Sequence, residues 1–175
     1  VNKDTDLDLV VSNVSDNTVS VLLGNGDGTF GTKTDYGTGG SPTRVQVADF
    51  DGDGNLDVAV PDLSDAAVSV LLGNGDGTFG TKTDYPVGDA PIPLDVADFD
   101  GDSHLDLVVG NDNDGTVSVL PGNGDGTFGT RADFTVGDGP FGIAVGDFDE
   151  DSRPDVTVAN YTSANVSVLL NTTSP

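Results

Sequence analysis

"ADFDGDGNLDVAV", residues 48–60, places four carboxylates, Asp49, Asp51, Asp53 and Asp57, within nine positions. It then runs directly into an apolar alternation at Leu56, Val58 and Val60. A period of two is the pattern of a half-buried strand. Four carboxylates crowded at the entrance of such a strand repel one another, so the spacing calls for a counter-charge. The loop returns as DFDGDSHLD at 98–106 and DFDEDSRPD at 147–155, each 49 residues after the last. A truncated echo, VNKDTDLD at 1–8, opens the chain.

Everything else keeps the same period. GNGDGTF occurs at 24–30, 73–79 and 122–128, and Pro42, Pro91 and Pro140 and Asp35, Asp84 and Asp133 repeat with it. In the best-preserved copy, strands are expected at 93–98, 105–110, 116–121 and about 127–135. NDNDG (111–115) and GNGDG (122–126) supply the turns, because Asn-Gly and Asp-Gly tolerate the positive φ of tight hairpins. Four short antiparallel strands repeating every 40–50 residues or so are the mark of propeller blades. The predicted class is therefore all-β, with β-propeller-type blades of four antiparallel strands. An open β-repeat array is the alternative. The 175 residues form a single repeat domain, with units at about 1–42 (partial), 43–91, 92–140 and 141–175 (partial). That is about 3.6 repeats, so the ring is not complete in one chain. The start at Val1 fits a processed form, an excised fragment or part of something longer.

Composition narrows the partners. Thirty acids against six bases give a formal net charge of −24, which leaves no basic footprint for nucleic acid. No apolar run approaches the length of a membrane span, so membrane insertion is not expected. There is no cysteine, hence no disulfide framework. Strong acidity often means disorder, but these acids are nearly all Asp and sit at fixed places between strand patterns.

Oxygen atoms at alternate positions of a tight loop converge on one point, which suits Ca²⁺ with its six to eight oxygen ligands at roughly 2.3–2.6 Å. Position 1 is Asp49, Asp98 or Asp147; position 3 is Asp51, Asp100 or Asp149; position 5 is Asp53, Asp102 or Asp151; position 9 is Asp57, Asp106 or Asp155. Position 7 varies as Asn55, His104 and Arg153, as expected of a residue that offers only its backbone carbonyl. The first loop keeps Asn2, Asp4, Asp6 and Asp8 at positions 3, 5, 7 and 9, a fourth but partial site. Position 12 is Val60, Val109 or Val158, where an EF-hand carries its bidentate Glu, so this is a different, strand-flanked loop. Asn74 and Asp76 of the GNGDG turn are read as turn residues first and ligands second.

D-F-D-G-D-G-x-x-D followed by an apolar strand and then by VSVLLGNGDGTF resembles the FG-GAP/VCBS-type repeat. That repeat builds calcium-bearing β-propellers in integrin α-subunit heads and in secreted bacterial proteins. The resemblance implies that Asp49, Asp51, Asp53, the Asn55 carbonyl and Asp57 ligate one ion, and that the matching positions of the next two loops do the same. It is nearer the VCBS type: a Phe-Gly pair stands only at Phe141–Gly142, and the Gly-Ala-Pro element of integrins is absent.

Three bound Ca²⁺ would bring the net charge from −24 to −18. An ion that prefers the folded loop stabilises the fold by about 2.7 kcal/mol at a hundredfold excess over its dissociation constant. Millimolar calcium is an extracellular condition, so the cell exterior or cell surface is the expected location. No enzyme is expected. His104 is the one histidine, at a loop position whose side chain points away and is read as exposed, and Ser–His or Cys–His chemistry lacks its parts. A structural or adhesive module follows, associating with itself or with further repeats through its open ends. The strands at 6–11 and 166–170 are its exchangeable edges, and two chains supply about seven repeats. A lectin-like propeller with a glycan or extracellular protein ligand is the alternative, and a non-catalytic domain of a secreted enzyme a third. Asn13, Asn160, Asn165 and Asn171 each begin an Asn-x-Ser/Thr sequon, which would suit a glycoprotein.

Overall fold

A computed structural model describes residues 1–173. They are all β, with fourteen strands and, among the described residues, no helix. Strands β1 (Leu9–Asn13), β2 (Thr18–Leu22) and β3 (Thr34–Gly37) form the first sheet. The second holds β4 (Gln46–Ala48), β5 (Asp57–Asp62), β6 (Ala67–Leu71) and β7 (Thr83–Pro86), and the third β8 (Pro91–Ala97), β9 (Asp106–Asn111), β10 (Thr116–Leu120) and β11 (Ala132–Thr135). The fourth is β12 (Pro140–Gly146), β13 (Asp155–Asn160) and β14 (Asn165–Leu169). Every pairing is antiparallel between chain neighbours, so each sheet is a simple meander of the blade type. The opening strands meet across sheets, β8 touching both β4 and β12. β1 and β14 are free edges of their three-stranded sheets.

The last strand of each blade is shorter than expected. Residues 127–131 do not join β11; Phe128 forms only a bridge to Gly122. The reason is local. Asn123 N–H donates to the Thr127 carbonyl and Gly129 N–H to that of Pro121, so the hairpin closes on itself before the chain crosses to the sheet edge.

Strand alternation divides each inner sheet between two neighbours. Val58 and Val60 of β5 pack with Val19 and Val21 of the first sheet, whereas Val68 and Val70 of β6 pack with Leu107, Val109 and Leu120 of the third. Both faces are covered, which is why β5, β6 and β9 are buried from end to end. Each fully buried Val or Leu contributes roughly 1.5–3 kcal/mol. Aromatic rings seal the seams: Phe79 lies edge-on to Tyr36 at 5.3 Å, and Phe128 edge-on to Tyr85 at 5.2 Å and Phe50 at 5.7 Å. One period later the corresponding rings, Phe99 and Phe134, line an apolar cavity of about 270 Å³ between the third and fourth sheets.

A polar ladder crosses each sheet and accounts for the periodic Asp35, Asp84 and Asp133. In the third sheet Asn111 Nδ2 donates to Ser118 Oγ (2.9 Å) and Ser118 Oγ to Asp133 Oδ1 (2.7 Å). Asn13 and Ser20 repeat it onto Asp35. The second sheet breaks the pattern, with Asp62 where the others have Asn and Ala67 where the first and third have Thr. Ser69 Oγ lies 2.6 Å from Asp62 Oδ2 and 2.8 Å from Asp84 Oδ1, with one proton for two carboxylates. Asp62 Oδ1 is buried without a partner. Below about pH 6 a protonated Asp62 settles the count, its hydroxyl donating to Ser69 Oγ and Ser69 Oγ to Asp84 Oδ1. Burial, with the nearby Asp84 charge, pushes Asp62 up to about 6.

The folded-state value lies above the unfolded 3.8, so the native state takes up the proton and stability falls as pH rises from about 4 to about 6. Asp62→Asn restores the amide donor of the other sheets. It is expected to gain on the order of 2–3 kcal/mol at neutral pH, shrinking towards zero near pH 4. Urea midpoints of both proteins across that range check this; curves that run parallel would exclude a neutral Asp62.

Candidate metal centre

Each acidic loop spans a hairpin between the first two strands of its sheet. Ala48 pairs with Asp57, Ala97 with Asp106 and Gly146 with Asp155, so position 9 is the first residue of the returning strand. Its carboxylate does the same thing in every sheet. Asp57 Oδ2 accepts Phe50 N–H (2.7 Å) and Oδ1 accepts Gly73 N–H (2.8 Å). Asp106 takes Phe99 and Gly122 (both 2.7 Å), and Asp155 takes Phe148 and Asn171 (both 2.8 Å). In the partial loop Asp8 accepts the Val1 nitrogen and Gly24 N–H. Position 9 therefore clasps the acidic loop to the GNGDG hairpin or, in the fourth sheet, to Asn171.

Inside the loop the carboxylates fold the backbone around themselves. Asp49 accepts N–H groups of Gly52 and Gly54, and Asp98 those of Gly101, Asp102 and Ser103. Position 5 accepts from position 7 in all three loops, and position 3 accepts from position 5 in the first two, whereas Asp151 N–H donates to Asp147 in the third. Three groups result in which one carboxylate oxygen from each residue lies within 4.8 Å of the others: Asp49, Asp51 and Asp53; Asp98, Asp100 and Asp106; Asp147, Asp149 and Asp155. Asp57, Asp102 and Asp151 stand outside these groups.

Electrostatics follow from crowding and burial. Burial and the neighbouring Asp53 and Asp49 charges raise Asp51; burial raises Asp57 and Asp106 against the pull of their N–H donors. Burial and the charges of Asp151 and Asp155 raise Asp149. Asp155 moves the other way: the N–H groups of Asn171 and Phe148 that it accepts lower it.

The position-7 side chains face the hairpin. A Cβ built on Gly75 would meet Asn55 Oδ1 at 2.2 Å, on Gly124 His104 Nδ1 at 2.1 Å, and on Gly26 Asp6 Oδ1 at 2.7 Å. His104 is accordingly half-buried against Gly124, not exposed as expected. Arg153 instead donates Nε–H to the Asn171 carbonyl (2.9 Å) and pairs through Nη2 with Asp151. Position 5 stands outside the third group, as it does in the second, where no arginine is present. The partial loop differs again: Asn2 Nδ2 donates to Asp4 (2.6 Å), Asp6 N–H also bonds Asp4, and no such group of three forms there. Asn74 and Asp76 satisfy Thr78, as turn residues should.

The sequons fare unevenly. Asn160 is buried, its Nδ2 donating to Asn165 and Ser167, and Asn13 Nδ2 is spent on Thr18 and Ser20. Asn171 Nδ2 donates to the Phe99 carbonyl at 2.7 Å. The Asn13 and Asn160 nitrogens are rungs of the fold with both N–H groups engaged, Asn171 is half-buried with one engaged, and Asn165 is exposed.

Matches to the FG-GAP-like repeat run over residues 1–60, 62–109 and 98–158. The chain belongs to the FG-GAP-like repeat family. Among solved structures this FG-GAP-like chain is similar to BBS1N in complex with ARL6DN, with a TM-score of 0.61 at 17% identity over 98% of this chain and 51% of that one. It is also similar to an Agrocybe aegerita lectin specific for non-reducing terminal N-acetylglucosamine, with a TM-score of 0.53 at 25% identity over 89% of this chain and 47% of that one. The chain thus spans about half the length of these structures. Comparison with curated proteins finds no match. The fold is that of β-propeller blades, left open in the FG-GAP-like repeats present here.

Removing a clasp should cost far more than removing a loop carboxylate. Asp106→Ala strands two N–H groups and is expected to lose about 3–6 kcal/mol, from two bonds to a charged acceptor at roughly 1.5–3 kcal/mol each. Asp102→Ala, exposed in the loop, is expected to cost under about 1 kcal/mol in chelator. Denaturant unfolding of the two variants in chelator separates them; equal losses would refute the clasp.

Proposed function

We propose that this chain is a calcium-stabilised β-propeller repeat module of the cell exterior, with a structural or adhesive role, assembling through its open ends. The observation that carries this reading is the convergence of carboxylate oxygens in three successive loops at the same strand entrance. Where a side chain of opposite charge intervenes, as Arg153 does, it takes a single carboxylate and leaves the group of three intact. An all-oxygen, carboxylate-rich donor set with a carbonyl at Asn55, His104 or Arg153 suits a hard cation, Ca²⁺ above the transition metals. Bound there, the ion would neutralise repulsion that otherwise weighs on the loop. Its work is structural, and catalysis is not part of the reading.

The loops are not equal. Positions 4 and 6 adopt positive φ, supplied by Gly52 and Gly54 in the first complete loop, by Gly101 and Ser103 in the second, and by Glu150 and Ser152 in the third. A non-glycine residue there costs on the order of 1 kcal/mol. With Arg153 holding Asp151 as well, the third site is the weakest.

Calcium titration by calorimetry should reveal three sites, two of them tighter, in the ~10⁻⁴–10⁻³ M range of extracellular modules. Calcium should also raise the thermal midpoint, and Arg153→Ser should tighten the weak site. A midpoint unchanged between calcium and chelator would defeat the reading.

A glycan ligand is the second reading. It is favoured by the lectin relative and by an exposed aromatic pair, Phe141 and Tyr161, with centroids 6.3 Å apart, in an open cleft of about 570 Å³ beside Arg44. Tyr161→Ala is expected to abolish any binding to N-acetylglucosamine-terminated glycans on an array. No signal for the parent protein would end that reading.

A further inference from the structure

Position 2 of each acidic loop is a phenylalanine, and in the first two complete loops it stands between two of the grouped carboxylates. Phe50 lies between Asp49 and Asp51, and Phe99 between Asp98 and Asp100. Its N–H donates to the clasp of its own sheet, Asp57 or Asp106. Its carbonyl serves the next sheet. Phe50 O accepts Gly126 N–H at 3.1 Å, from the hairpin of the third sheet. Phe99 O accepts Asn171 Nδ2 at 2.7 Å and Thr173 Oγ1 at 3.2 Å, from the segment after β14 of the fourth.

The rings follow the carbonyls. Phe50 is buried in the core between the second and third sheets, edge-on to Phe128. Phe99 packs with Val108, Val117, Val156 and Val158 between the third and fourth. The backbone is close as well: a Cβ on Gly52, at position 4, would lie 3.9 Å from the Gly124 carbonyl of the next hairpin. Among the described residues, the joint between the first and second sheets is built without this device. Val1 stands one period before Phe50, and its loop forms no group of three. Phe79 there is edge-on to Tyr36, whereas Phe128 is edge-on to both Tyr85 and Phe50.

We propose that a cation bound in an acidic loop locks the joint between its own sheet and the following one, acting through Phe50 in one loop and Phe99 in the next. An ion shared by Asp49 and Asp51 fixes the backbone on both sides of Phe50, and with it the direction of the ring and of the carbonyl. Without the ion the two carboxylates repel, and the residue between them is the one whose displacement loosens the seam. This rests on the reading of the loops as calcium sites and gives each site a direction. The loop at 49–57 governs the joint of the second and third sheets, and the loop at 98–106 that of the third and fourth. Such coupling is reciprocal, so a change in the joint must change the affinity of the loop.

The test reads calcium affinity loop by loop, from the amide resonances of Gly54, Ser103 and Ser152 during a titration of the whole chain. Phe128→Leu alters the joint of the second and third sheets, and Phe128 is no part of any acidic loop. It is expected to weaken the loop at 49–57 at least about fivefold, the lower end of a typical coupling, and to leave the other two as in the parent. Phe79→Leu, in the joint without a complete loop, is expected to leave all three unchanged. A second measurement does not depend on how well these variants fold. In the parent, exchange of the Gly126 amide is expected to slow about tenfold at calcium ten times the dissociation constant, as mass action requires of an opening that frees the ion. Asp49→Asn with Asp51→Asn is expected to abolish that slowing while the other loops still bind. A loop at 49–57 that ignores folded Phe128→Leu, or a Gly126 amide that ignores calcium, would overturn the proposal and leave calcium binding standing. Weakening of the loop at 98–106 by Phe128→Leu, and of that at 49–57 by Phe79→Leu, would place the coupling within each sheet and overturn it likewise. No calcium shift at any loop would overturn both the proposal and the reading beneath it.

Discussion

One buried carboxylate per repeat, accepting two backbone N–H groups from opposite sides, holds the rest of the structure in place. Asp57, Asp106 and Asp155 each open a strand and reach back to the loop before it and across to the segment after the next strand. A buried charge is costly unless it is fully bonded, and these are bonded on both oxygens. The clasp fixes where the acidic loop lies relative to the hairpin. In the second and third sheets it also brings position 7 against a hairpin glycine that has no side chain to resist.

Outward from the clasp, the sheets are held by apolar alternation and polar ladders, which divide the work. Valines on either side of Ser69 and Ser118 bury themselves between neighbouring sheets, while the serines tie Asn111 or Asp62 to the outer-strand aspartates. The core accordingly lies in successive seams between sheets. Each sheet depends on its neighbours, in the manner of a repeat protein whose stability is a sum of unit and joint contributions. The acidic loops lie at one end of the strands, and Phe50 and Phe99 within them reach into the seams between sheets.

Much of this was legible in the sequence. The 49-residue period, the four-strand unit, the turns and the oxygen positions of the loop all depend on contacts within a few residues, and local spacing carries them. Other features depend on partners far away in the chain. Nothing in DFDEDSRPD announces that Arg153 turns to Asp151 and the Asn171 carbonyl, because that geometry requires the strand after the next. The sequons at Asn13 and Asn160 read as surface acceptors until the sheet places their amides against Ser20 and Ser167. His104 looked free to point outwards, yet the hairpin glycine beside it offers a half-buried seat.

The sequence by itself determined the repeat, the blade and the positions of the oxygens, since strand alternation and turn chemistry are properties of adjacent residues. Only the tertiary structure decided which carboxylates meet. Aspartates at equal spacing form Asp49–Asp51–Asp53 in one loop and Asp98–Asp100–Asp106 in the next. It also decided which of the chemically identical valines and leucines are covered. Val68 and Val166 occupy the same place in the period, but one has a neighbouring sheet and the other faces solvent, because burial belongs to the stack and not to the residue.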